Sequence, residues 1–101
     1  MNNKVYTINE IKAIVSEIAK NYPLKEVYLF GSYARGEATE KSDIDLAVRF
    51  ADGIAPTFRM FSSFIVDLEE ALDKSVDCIP IDSMSVEFRY EIADDEVLMY
   101  A

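Results

Sequence analysis

The pattern of this chain predicts an α/β domain of the α+β kind, with one small mixed β-sheet packed with helices. Three observations carry that expectation. Helical stripes with three- and four-residue spacing alternate with short β-rich runs along the whole sequence. A length of 101 residues leaves room for one core, so residues 1–101 are expected to form a single domain. No internal repeat, low-complexity tract or long linker divides the chain.

The first helix opens at Thr7-Ile8-Asn9-Glu10, a capping box in which the Thr7 hydroxyl accepts from the Glu10 amide and the Glu10 carboxylate reaches back. Ile8, Ile11, Val15, Ile18 and Tyr22 follow on one face, and Pro23 stops the helix near Asn21. Lys25 to Phe30 is a short strand ending at Gly31, Ser32 to Gly36 a short helix, and Glu37 to Ser42 a polar loop. Ile44 to Phe50 is the second strand, and Ala51 to Pro56 a connection. Phe58, Phe61, Ile65, Leu68 and Leu72 trace the next helix, starting near Pro56 or Thr57. Its aromatic stripe (Phe58 and Phe61, with Phe64 beside it) is expected to be core. Val76 to Ile81 is a third strand, limited by Pro80. Ser83 or Ser85 caps a last helix through about Ala93, Asp94-Asp95 turns, and Val97 to Tyr100 is a final edge strand. Tyr33 and Tyr100 are candidate exposed contacts for a partner.

Composition narrows the function. Half the residues are hydrophobic and 29% are charged, which excludes a disordered chain. A net charge of −9 without a basic stripe argues against direct binding of nucleic acid, because like charges repel. It permits a nucleotide whose charge is neutralised by a metal, it suits a basic protein partner, and it also serves plain solubility. The single cysteine, Cys78, excludes an internal disulfide, and the lack of histidine argues against zinc. Met1-Asn2-Asn3-Lys4 lacks a basic stretch followed by an apolar one, so no signal peptide is expected, and no apolar run approaches the roughly 20 residues that cross a bilayer. A cytoplasmic protein without membrane contact is expected.

The chemistry concentrates between Gly31 and Asp45. Gly31-Ser32 follows an apolar strand and opens a short helix, so backbone N–H groups are left to point outward at an anion, with the Ser32 hydroxyl as a further donor. The same two residues also suit a plain turn with a serine cap. Asp43 and Asp45 are spaced to share one face of a strand, where two carboxylates repel unless a cation lies between them. Hard oxygen ligands completed by substrate phosphates suit Mg²⁺. A solvent-facing pair is the alternative. Asp77 lies within the apolar run Val76-Asp77-Cys78-Ile79, where an unpartnered acid costs solvation. If its strand neighbours the one bearing Asp43 and Asp45, the three carboxylates converge and can hold two metals about 3.5–4 Å apart. Asp82 is the rival for this role and Asp73 a more distant one. Cys78 faces the opposite side by alternation, as a small core residue.

Taken together, Gly31-Ser32-Tyr33-Ala34-Arg35-Gly36, a short spacer, Ser42-Asp43-Ile44-Asp45-Leu46 and the distal Asp77 resemble the minimal nucleotidyltransferases of the DNA polymerase β-like superfamily. The close motif spans Phe30 to Val48, and the order of elements extends the likeness over the whole chain. The resemblance implies a nucleotidyltransferase palm that moves AMP from ATP to a hydroxyl. It implies that Gly31, Ser32, Arg35 and Ser42 contact the nucleotide. Asp43 and Asp45 bind both of two Mg²⁺ ions, and Asp77 binds the catalytic one while activating the acceptor. Arg35 serves equally well in a salt bridge to Glu37 or Glu40. Larger members carry extra helical domains that hold the base and the acceptor, whereas the sequence here runs to Ala101, soon after the expected palm. Short stand-alone members pair with a helical HEPN-type RNase toxin and act as its antitoxin by adding AMP to a tyrosine, which implies a hetero-oligomer. The alternatives are a non-catalytic module that neutralises its partner by masking, and a transferase acting on a small molecule or an RNA end.

Overall fold

The computed structural model describes residues 3–101. Met1 and Asn2, part of the N-terminal stretch weighed as a leader, lie outside the described residues. The elements follow the order α1 (Ile8–Ala19), β1 (Leu24–Phe30), α2 (Gly31–Ala34), β2 (Ile44–Phe50), α3 (Phe58–Leu72), β3 (Val76–Pro80), α4 (Val86–Ala93) and β4 (Val97–Tyr100). A short 3₁₀ turn, Ile81–Ser83, joins β3 to α4 and was not expected from the sequence.

Local chemistry sets the helix starts. Thr7 accepts from the Glu10 amide and Glu10 returns a bond to the Thr7 amide, completing the capping box. Thr57 caps α3 through Met60, and Ser85 caps α4 through Phe88. The first helix ends at Ala19, two residues before Asn21, and its last turn tightens through i→i+3 bonds such as Tyr22 N–H to the Ala19 carbonyl. Asp73, in the left-handed region at φ 50°, stops α3.

The sheet is mixed, in the order β3-β2-β1-β4. β1 is antiparallel to both β2 and β4, whereas β2 and β3 are parallel and α3 makes the crossover between them. The β2–β3 register sets Ile44 beside Val76 and Asp45 beside Asp77, and the β1–β2 register sets Phe30 beside Asp45. β4 is an edge strand, as expected.

Alternation divides each strand between two faces. On one face Val27, Leu29, Ile44, Leu46, Val48, Val76, Cys78 and Met99 meet Ile11 and Val15 of α1 and Phe64, Leu68 and Leu72 of α3 in the main core. On the other a smaller cluster joins Phe30 and Ala47 to Ile81 and to Ile92 of α4. Two aromatic expectations need correction. Phe58 is 87% exposed rather than core, because it is the first residue of α3 and the helix starts beyond the sheet it covers; Phe64 supplies the buried ring instead. Tyr33 is 3% exposed and belongs to the main core, so it is no surface contact.

Candidate active site

The site forms where β1 turns into α2, beside the adjoining start of β2 and of β3. Asp45 occupies the centre of this row. On one side its Cα partner is Phe30, the residue before Gly31, and on the other it is Asp77. All three positions point away from the main core, toward the face that carries α4. Asp45 is half-buried, whereas Asp43, two residues before it, and Asp77, beside it on β3, are exposed.

Gly31 is required here for two reasons. Its φ of +74° lies in the left-handed region that an L side chain adopts only under strain. The Asp45 carboxylate also lies over its α-carbon, so a Cβ at Gly31 would collide with the carboxylate oxygen. The bend and the acid are therefore one packed unit. Ser32 is half-buried in the first turn of α2, where backbone N–H groups have no intrahelical acceptor.

The electrostatics agree with the geometry. The Asp45 carboxyl is pushed up from 3.8 to about 6, first by burial and then by the negative charges of Asp77 and Asp43, with Arg35 pulling the other way. Both neighbouring acids are thus close enough to repel it. Among the described residues no three acidic side chains close round a common point to make a finished metal cage. The donor set still fits a hard divalent cation: it consists of carboxylate oxygens, and the charges of Asp77 and Asp43 repel that of Asp45, a repulsion that a cation among them would relieve.

The other residues named from the sequence have definite places. Arg35 pairs with Glu37, Nε to Oε1 at 2.9 Å, rather than with Glu40, and both side chains are well exposed. Its guanidinium also feels Asp95 and Asp45, and these acids, Glu37 foremost, raise its pKa. The Ser42 hydroxyl oxygen accepts the Thr39 N–H at 2.8 Å and so braces the loop leading to Asp43. Asp82, the rival acid, sits in the 3₁₀ turn after β3 and contacts Arg49 at 3.5 Å. Asp73 ends α3. Neither shares the row with Asp45. Cys78 faces the main core, and burial pushes its thiol up to about 12, which leaves it inert. Sequence reasoning missed the seating of Asp45 on Gly31, because that contact depends on strand register rather than on spacing along the chain.

Comparison with known proteins places this geometry. The family model "Polymerase beta, Nucleotidyltransferase" matches residues 11–101. A Methanocaldococcus jannaschii chain provisionally named a protein adenylyltransferase is 44% identical over 77 residues, which are 72% of this chain and 77% of the relative. Protein adenylyltransferase MntA of Thermococcus cleftensis is 37% identical over 71 residues, 66% of each chain. A crystal structure of a toxin–antitoxin with AMP-PNP contains a chain that superposes with a TM-score of 0.74 at 29% identity, covering 93% of this chain and 74% of that one.

Proposed function

The chain belongs to the polymerase beta nucleotidyltransferase family, and from that premise we propose that it transfers AMP from ATP to a tyrosine hydroxyl of a partner HEPN-type toxin, acting as the antitoxin. The observation that carries this reading is the alignment of Asp77 beside Asp45 with Asp45 seated on the Gly31 bend. The adenylyltransferase names of its relatives and the toxin–antitoxin likeness support the choice of donor and partner. Such a protein works in the cytoplasm, where ATP is at hand. No helix of the described residues is long and apolar enough to cross a membrane.

The chain's own groups divide the work. Gly31, bare of a side chain, seats the Asp45 carboxylate against the bend, and Ser32 with the neighbouring N–H groups donates to the β- and γ-phosphates of the triphosphate. Arg35 exchanges its exposed bond to Glu37, a pair worth little in water, for the phosphate charge. Ser42 holds the loop that presents Asp43. Asp43, Asp45 and Asp77 would hold two magnesium ions. When bound, these neutralise phosphate charge and make the acceptor hydroxyl more acidic. Asp77, exposed at the rim, takes the hydroxyl proton. The tyrosine oxygen attacks the α-phosphorus, the bond from that phosphorus to the bridging oxygen breaks, and pyrophosphate leaves with the electron pair.

The test is label transfer. ATP labelled at the α-phosphate is expected to mark the co-purified partner, and ATP labelled at the γ-phosphate is not. A partner that stays unmarked with both, or is marked only by the γ-label, overturns the reading. The masking alternative draws on the exposed apolar side chains of the outer helices, Tyr90 at 78% and Val86 on α4 among them, which offer a docking surface without chemistry. A rescue assay separates the two: full protection of cells by an Asp43→Asn/Asp45→Asn double variant favours masking.

A further inference from the structure

Two side chains outside the motif converge on the stretch just before Asp77. Glu69 lies in the last turn of α3, and its Oε2 accepts the Val76 N–H at 2.9 Å. Lys74 donates from Nζ to the Glu40 carbonyl at 2.8 Å, bridging 34 residues to the loop that delivers Ser42 and Asp43.

We propose that Glu69 and Lys74 are positioning residues for the transfer reaction, a two-point brace that sets where Asp77 stands relative to Asp43. β3 is an edge strand, bonded to β2 on one side only. Its first rung is the Ile44 N–H to the Ser75 carbonyl at 3.0 Å. By strand alternation the next amide, Val76, points away from β2, toward the open edge. Glu69 captures it there and ties the residue before Asp77 to the body of α3. The helix C-terminus is an unfavourable place for a carboxylate, and α3 has no basic residue in its last turn. The Val76 amide supplies the compensating positive dipole.

Lys74 acts on the other flank. Asp43 precedes β2 and takes no part in its ladder to β3, which begins at Ile44. Its place depends on how the 37–42 loop is held. The Lys74 bond fastens that loop to the turn between α3 and β3, where the left-handed Asp73 leaves little slack before the strand. Carboxylates that share one nucleotide must keep their separation, because a shift of about 1 Å at reacting groups costs roughly 100-fold in rate.

This inference rests on the proposed transfer activity, so its test carries a readout that needs no activity. Lys74→Met and Lys74→Arg, with Glu69→Ala and Glu69→Gln, are compared with the wild type by kcat and KM for ATP. Amide hydrogen exchange at residues 40–43 and 76 is followed in the nucleotide-free protein. Lys74→Met is expected to speed exchange at 40–43 and lower kcat roughly 10- to 100-fold, with KM for ATP within about threefold. Lys74→Arg restores both. Glu69→Ala speeds exchange at Val76 and lowers kcat, and Glu69→Gln, which keeps an acceptor oxygen, restores most of each. Should Lys74→Met lose the fold, Lys74→Gln is judged by the same criteria. Unchanged exchange, or faster exchange with unchanged kcat, overturns the brace. A wild type that transfers no AMP overturns the proposed function instead, and the exchange at 40–43 and 76 still decides for or against the brace.

Discussion

The two faces of the sheet are built to opposite ends. The face under α1 and α3 is closed: Ile11, Val15, Leu29, Leu46, Val48, Leu68 and Leu72 are wholly buried there, and no polar or charged residue is among the described buried residues. The face under α4 is only partly covered. Phe30, Ala47, Ile81 and Ile92 make its small cluster, and the same strands carry Asp45 and Asp77 at one end. Farther along this face Arg49 joins Glu26 and Asp82. A strand with a period of two serves both purposes at once: Ile44, Leu46 and Val48 supply adhesion while Asp45 between them is free for chemistry. The open face is destabilised by its own carboxylates, and the closed face offsets that cost.

The sharpest break of this comparison is Asp45→Asn. Transfer is expected to fall by about two to three orders of magnitude, in line with loss of a group that would hold the ions neutralising the reacting phosphate. The protein itself is expected to melt a few degrees higher, because the substitution removes a charge held under burial and repulsion. A variant that is inactive and also melts lower would contradict the division of labour. On the closed face, Leu68→Ala is expected to cost about 2–5 kcal/mol in denaturant unfolding, with no direct effect on the site. Ile92→Ala, in the smaller cluster, falls near or below the low end of that range, and equal losses on both faces would blunt the contrast.

pH sharpens it further. Asp45 has a raised folded-state pKa, about 6 against an ordinary 3.8. Its contribution to stability is therefore fully present below the ordinary value and lost as pH rises toward and through about 6. Urea midpoints measured across that window should show a downward component in the wild type that is absent in Asp45→Asn. Transfer runs the other way: acidification lowers it as protons compete with magnesium for Asp45, and because the bound ions favour the carboxylate its midpoint lies below 6. The smallest expected effect is a gain. The Tyr33 hydroxyl is buried with no hydrogen-bond partner among the described residues, so Tyr33→Phe should stabilise the protein by about 1 kcal/mol.

Much of this plan is legible in the sequence because its signals are local. The Thr7–Glu10 box, the stop at Pro23 and the alternation through Ile44–Phe50 each act within a few residues. Asp43-x-Asp45 and Gly31-Ser32 are local too, and Asp77 was preferable to Asp82 because it lay inside an apolar run. What escaped depends on partners distant in sequence. Periodicity tells which side of α3 faces inward but not where the helix starts relative to the sheet, so Phe58 was misplaced. Four residues of α2 are too few to show a face, so the burial of Tyr33 had no signature. The bonds of Glu69 to Val76 and of Lys74 to Glu40 follow no spacing rule, although an acid at an unneutralised helix C-terminus was a hint that it had a partner.

The central claim is that Asp43, Asp45 and Asp77 act together on divalent ions beside the Gly31–Ser32 bend. Anomalous scattering from crystals grown with Mn²⁺ and a non-hydrolysable ATP analogue tests it directly. The account predicts metal peaks within coordination distance of all three carboxylates, with the triphosphate against Gly31 and Ser32. Peaks that leave out Asp45 or Asp77, or a triphosphate bound away from that bend, would contradict it.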